Sequence, residues 1–157
     1  FLLTKEPEWH SRYETFVQKP AIRQAIHVGG SEYQKDRTLV ALHFVTDYMK
    51  SERDDFALLL DNYKALHYTG QLDIAFPFPV SEALMYTLQW SGAEEFTNAK
   101  QHIWRAAEGD QVLGYFKQAK NFTMILGRNG GHMLPLDQPE AAYEMITRFI
   151  NDIPFEA

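Results

Sequence analysis

Cysteine is missing from all 157 residues, so the chain has no disulfide framework, no thiol nucleophile and no cysteine ligand for a metal. That absence leaves the compartment open, because a protein with a sizeable core folds without bridges even in an oxidising space. Positive charge is scarce as well: the formal net charge is −6, which argues against nucleic acid as a partner, since phosphates are met by clustered Lys and Arg. No apolar run approaches the roughly 20 residues that a helix needs to cross a bilayer, so no membrane partner is expected. The chain opens on Phe1 without a charged leader or a small-residue cleavage site, and is read as a processed or truncated piece.

Several chemical motifs are lacking too. Ser11, Ser31, Ser51, Ser81 and Ser91 all lie outside any Gly-x-Ser-x-Gly turn, so no nucleophile elbow is present. The two Gly-Gly pairs are followed by neither the lysine nor the helix of a phosphate cradle. His132 with Asp137 offers a ligand pair at most, the other histidines are scattered, and neither a metal nor a cofactor is expected.

What is present is an ordinary globular composition, 45% hydrophobic, with punctuation that alternates helix and strand. The stretch to Lys19 shows no period and reads as an irregular arm. "PAIRQAIHVGG" carries proline at the start and glycine past the end of a short helix, with Ile22, Ala25 and Ile26 on one face and His27 as a structural residue. Asp36 to about Asn62 is helical, with one apolar stripe at Leu39, Leu42, His43 and Phe44 and another at Phe56, Leu58, Leu59 and Leu60, either side of a charged "KSERDD". "KALHYTG" suits a buried strand that pairs on both sides, with His67 as a packing residue. Pro77 and Pro79 delay the next helix to Val80 or Ser81, and a further helix is read from Ala93 to Ala107 with Phe96, Ile103 and Trp104. Two strands then meet at a Lys120-Asn121 turn, the second being Phe122 to Gly127, and Pro139 opens an amphipathic helix with Ala142, Met145, Ile146 and Phe149 facing a sheet. No repeat or linker interrupts the chain, so one domain is expected.

Two polar residues stand out by position. Asp73 follows one strand and His132 follows a later one, inside "GRNGGHMLP". If those strands are parallel neighbours, both loops emerge at the same sheet edge and a carboxylate can bond the imidazole Nδ1, leaving Nε2 as a general base. In this reading Gly130 and Gly131 turn the chain sharply and keep Cβ atoms away, while Pro135 stiffens the exit. From spacing alone the bland alternatives stay open: Asp73 as a turn residue and His132 as a hydrogen-bonded surface group. In α/β-hydrolases the triad runs Ser, acid, His along the chain, so a stretch with only acid and histidine is what a C-terminal portion contains.

From about Tyr13 to Ile150 the sequence resembles the serine carboxypeptidases, in particular their vitellogenic carboxypeptidase-like branch. The likeness rests on "AIRQAIHVG", "NYKALHYTGQLD", Trp90, "GYFKQAKNFTMILGRNGGHMLPLDQP" and the helix ending in "RFI". It implies an α/β architecture: the C-terminal portion of an α/β-hydrolase fold, meaning the last strands of the central sheet and their covering helices. Residues 1–50 would belong to a helical excursion and 51–157 to the hydrolase core. It implies removal of C-terminal residues from peptides, with Asp73 and His132 as the acid and base of the triad and the serine on an N-terminal chain of the same precursor. Met133 is then expected beside the leaving-residue pocket, and Ala75 and Phe76 beside its neighbour. The resemblance also implies the secretory pathway, with a lysosomal, vacuolar or extracellular destination, where the Asn121 sequon is a glycosylation candidate. An acyltransferase or esterase on the same scaffold, or a noncatalytic peptide-binding relative, are the competing readings.

Overall fold

"FTMILG", Phe122–Gly127, forms strand β4, and its near-continuous apolar character matches its position: it has neighbours on both edges and helices over both faces. The computed structural model describes residues 11–156. β4 pairs in parallel with β1, Ala65–Gly70, and antiparallel with β3, Val112–Ala119, which in turn pairs antiparallel with β2, His102–Arg105. The order across the sheet is therefore β1-β4-β3-β2. Among the described residues β1 is paired on one side only.

Strand alternation sorts the core into two layers. Phe122 and Met124 of β4 and Ala119 of β3 pack against Ala57, Leu60, Met85, Leu88, Trp90 and Phe96 on one face. Ile125 of β4 and Phe116 of β3 point the other way, toward Trp104, Leu134, Ala141, Met145 and Phe155. The first face is covered by α4 (Arg53–Asn62), α5 (Phe78–Met85) and α6 (Ala93–Asn98), and the second by α7 (Leu134–Asp137) and α8 (Pro139–Ile150). A three-layer α/β arrangement results.

Buried charge helps to stitch this frame. Arg148 of α8 is buried, donates from Nε to Glu144 at 2.9 Å, and reaches the carbonyls of Pro154 and Arg105 at 2.6 and 3.2 Å. It thereby ties α8, β2 and the segment after the helix. Lys117 of β3 is buried with its ammonium 4.7 Å from the ring centroids of both Tyr86 and Phe96, and donates to the Tyr86 hydroxyl at 2.8 Å.

The chain divides between Ser51 and Glu52 into two compact units, of which the second carries the sheet. The first holds α1 (Arg12–Val17), α2 (Pro20–Ala25) and α3 (Thr38–Tyr48). The irregular arm expected up to Lys19 extends over residues outside the described ones; from Arg12 it is helical instead, a short turn joined to Tyr33 and Lys35 through Tyr13 and Glu14. Pro20 does open α2, but His27, at φ 55°, takes the first left-handed position after it, ahead of Gly29. On α3, Leu39 and Leu42 are exposed, so the predicted stripe forms a helix without being buried among the described residues.

Two further expectations change. α5 begins at Phe78, earlier than Val80, because Pro79 falls in the first turn, where its missing N–H has no intrahelical partner to lose. The helix read over Ala93 to Ala107 stops at Asn98, and Ile103 and Trp104 belong to β2. Phe96, Ile103 and Trp104 match a helical period, yet pairing with β3 and insertion of Trp104 beneath α8 override it.

Phe122 is fully buried and meets the rings of Phe56, Trp90 and Phe96 at 5.2 to 6.4 Å between centroids. Phe122→Ala should lower stability by about 3–5 kcal/mol, read as a reduced denaturant midpoint with an unchanged slope.

Candidate active site

β1 and β4 run in parallel and end together, Gly70 opposite Gly127. The loops that follow are therefore delivered to one edge of the sheet and are laced to each other: Gln71 N donates to Gly127 O and Leu72 N to Gly130 O, each at 2.8 Å, while Asn129 N donates to the Gln71 side chain at 3.2 Å. A Cβ at Gly70 would coincide with the carbonyls of Gly130 and Gly131, so the approach of the two loops requires glycine there.

The first loop carries Asp73, whose amide closes a turn onto Gly70 O at 3.1 Å. The second turns at Asn129, which takes the left-handed conformation at φ 56°. The turning role expected of Gly130 thus passes to Asn129. Gly130 serves close packing, since a Cβ there would run into the buried Leu134 side chain. Asp137 accepts from Gly131 N at 2.8 Å and so pins the residue just before His132. The metal pairing weighed for His132 and Asp137 is replaced by this backbone contact. Sequence reasoning missed it; the only signal was an acidic residue ending a one-turn helix that has Pro135 in its first turn.

The two loops bring Asp73 and His132 together. His132 Nδ1 lies 3.1 Å from Asp73 Oδ2 and 3.3 Å from Oδ1. Oδ1 also accepts from the amides of Ala75 at 2.8 Å and Phe76 at 3.1 Å. The Asp73 side chain is 6% exposed and that of His132 is 47% exposed, so the acid is interior and the imidazole faces outward. Burial pushes the Asp73 carboxyl up, while the His132 side chain and the amides of Phe76 and Ala75 pull it down and leave it below the ordinary aspartate value. An ionised carboxylate on Nδ1 selects the tautomer with its proton there, which leaves Nε2 as the lone-pair nitrogen. Chemically the pair can accept a proton at Nε2 and stabilise the imidazolium that results.

Phe76 is exposed, but its ring stacks on His132, with centroids 5.7 Å apart and planes 29° from parallel. Asp73, Phe76 and His132 line a cavity of about 300 Å³ together with His67 and Ser81. Met133 and Ala75 are exposed beside it without lining it; the amide of Ala75 contributes through Asp73. His67 is half-buried, bonded to Thr69 at 3.3 Å, and burial lowers its pKa. Ser81 sits within α5, and among the described residues no serine hydroxyl bonds His132. Asn121 is exposed in the β3–β4 turn.

The profile of the serine carboxypeptidases matches residues 3–152. The chain belongs to the serine carboxypeptidase family. It is 38% identical to the probable serine carboxypeptidase CPVL of Homo sapiens over 96% of its own length and 32% of the relative's. With the venom serine carboxypeptidase of Apis mellifera the identity is 36%, over 99% of this chain and 33% of that protein. Among solved structures it superposes on Kex1(Δ)p, a prohormone-processing carboxypeptidase of Saccharomyces cerevisiae, with a TM-score of 0.75 and 18% identity, covering 93% of this chain and 32% of the other. The chain thus spans about a third of the length of these serine carboxypeptidases and adopts part of their α/β-hydrolase fold.

Asp73 ionises more readily in the folded than in the unfolded chain. Its contribution to stability is therefore complete above the unfolded aspartate value of about 3.9 and is lost as pH falls through the lower folded value. Urea midpoints recorded down to about pH 3 should fall less steeply for Asp73→Asn than for the parent. Gly70→Ala should displace the loop bearing His132 and weaken the Asp73 contact, seen as loss of its imidazole N–H signal by NMR in a protein that still unfolds cooperatively.

Proposed function

We propose that this chain supplies the acid and base of a Ser-His-Asp triad in a carboxypeptidase that removes C-terminal residues from peptides. The observation that carries the reading is the Asp73 to His132 Nδ1 contact, with Nε2 unbonded among the described residues and the imidazole facing a cavity. Membership of the serine carboxypeptidase family supports it.

In this mechanism the serine comes from an N-terminal chain of the same precursor. Nε2 of His132 takes the serine proton as its oxygen attacks the scissile carbonyl, and then gives that proton to the departing amine. Asp73 stays ionised and holds the imidazole as its charge appears. Water, deprotonated by the same nitrogen, releases the acyl group. Met133, next to His132 in the chain, would border the leaving-residue pocket, and Ala75 and Phe76, whose amides bond Asp73, its neighbour. Residues 1–50 are assigned to a helical excursion and 51–157 to the hydrolase core, close to the division between the two compact units. A secretory destination, lysosomal, vacuolar or extracellular, agrees with the exposed Asn121 sequon, and no helix of the described residues is long and apolar enough to span a membrane.

The test combines labelling with mutation. An organophosphonate should modify one serine on the partner chain of the purified enzyme, located by mass spectrometry. His132→Ala should keep the fold and lose peptide turnover by about three orders of magnitude or more. Near-normal release of C-terminal residues by that variant would remove the histidine from the mechanism. Labelling with no hydrolysis of peptides but turnover of esters or acyl acceptors would move the chain to the acyl-transfer reading.

A further inference from the structure

We propose that Phe76 is a positioning residue for His132: its ring holds the imidazole in the plane from which Nε2 meets the serine hydroxyl, an inference that rests on the triad reading above. The Asp73 carboxylate bonds the imidazole at Nδ1, and among the described residues no hydrogen bond holds the Nε2 side of the ring. At 47% side-chain exposure, His132 has few protein walls to stop the ring from turning. Phe76 supplies one, stacked with an offset on the imidazole, its centroid 5.7 Å away and its plane 29° from parallel.

Burial does not explain where that ring lies, since Phe76 is 63% exposed. Its backbone does. The Phe76 amide donates to Asp73 Oδ1 at 3.1 Å, so the carboxylate that orients His132 also sets the origin of the side chain that covers it. One acid thereby controls the imidazole twice, through Nδ1 and through the stacked ring. An aliphatic side chain of similar volume occupies the space without offering a flat face, so the effect depends on aromaticity and not on bulk.

A side chain that served only as a wall of the substrate pocket would behave differently. Loss of a pocket wall changes KM or the preferred C-terminal residue, whereas loss of orientation lowers kcat with binding little altered.

The experiment compares Phe76→Ala, Phe76→Leu and Phe76→Tyr, with His132→Ala, in the assembled, serine-bearing enzyme on a series of peptides that differ in their last residue. Ala and Leu should each lower kcat about tenfold, with KM within about threefold of the parent and the same ranking of peptides, and Tyr should restore kcat. The His132 Nδ1 proton resonance should broaden in the Ala and Leu variants and sharpen again in the Tyr variant. Parent-like kcat in Ala or Leu, or a change confined to KM and peptide ranking, would overturn the positioning role while His132→Ala stays inactive. An active His132→Ala would remove the triad reading and this inference with it.

Discussion

The parallel pairing of β1 with β4 is the constraint on which the site depends. Gly70 opposite Gly127 sets both loops off from one level of the sheet, and the bonds from Gln71 and Leu72 to the other loop keep them in step. A slip of one residue in this register would turn His67 and Thr69 to the opposite face and carry Asp73 away from His132. Glycine at position 70 is therefore a requirement of the Asp73–His132 geometry, although it touches neither side chain: it is what lets the two loop backbones lie against each other. Such an assembly is fixed by main-chain bonds, which have little freedom to relax, and a proton relay tolerates little slack.

Within that frame the acid is the more demanding member. An aspartate with almost no exposure is stable as an anion only where donors replace the lost water, and here three donors converge on it, two amides and an imidazole. The amides come from residues immediately downstream, so the turn after β1 is both the carrier of the carboxylate and its solvent. His132 carries no comparable burden. Its loop is held instead from behind, by Asp137 on the Gly131 amide and by Leu134 beneath Gly130, which leaves the ring itself outward and accessible. Interior acid and exposed base follow from two different ways of stabilising a loop.

Much of this was legible in the residues. β1, β3, β4 and α8 fall where period and punctuation place them, because each is long or strongly apolar and bounded by glycine, proline or a polar turn. Asp73 and His132 could be paired on the assumption of parallel strands, which the sheet bears out. The failures have common causes. β2 is only one short segment whose apolar spacing also fits a helix, and its identity comes from β3, a partner that no local pattern reveals. The start of α5 is masked by Pro79, which breaks a helix interior but is tolerated in the first turn. The contacts made by Asn129, Asp137 and the Phe76 ring have no local signal for a related reason: each forms with another segment, and these residue types are ordinary for loops.

The pattern of satisfied and unsatisfied surfaces in the sheet-bearing unit carries a last implication. Around Asp73 and behind His132 every donor and acceptor that the geometry depends on has a partner inside the chain. On the outer side of β1 and at Nε2 of His132 there is none among the described residues. An unpaired strand edge invites a neighbour, and a lone-pair imidazole nitrogen takes up a proton only from a donor that this pair does not itself supply. Both find a use if one further segment lies along β1, because a parallel or antiparallel neighbour there ends its loops at the same margin as Asp73 and His132. The serine carboxypeptidase relatives are about three times as long as this chain, and Asp73 and His132 already meet without such a segment.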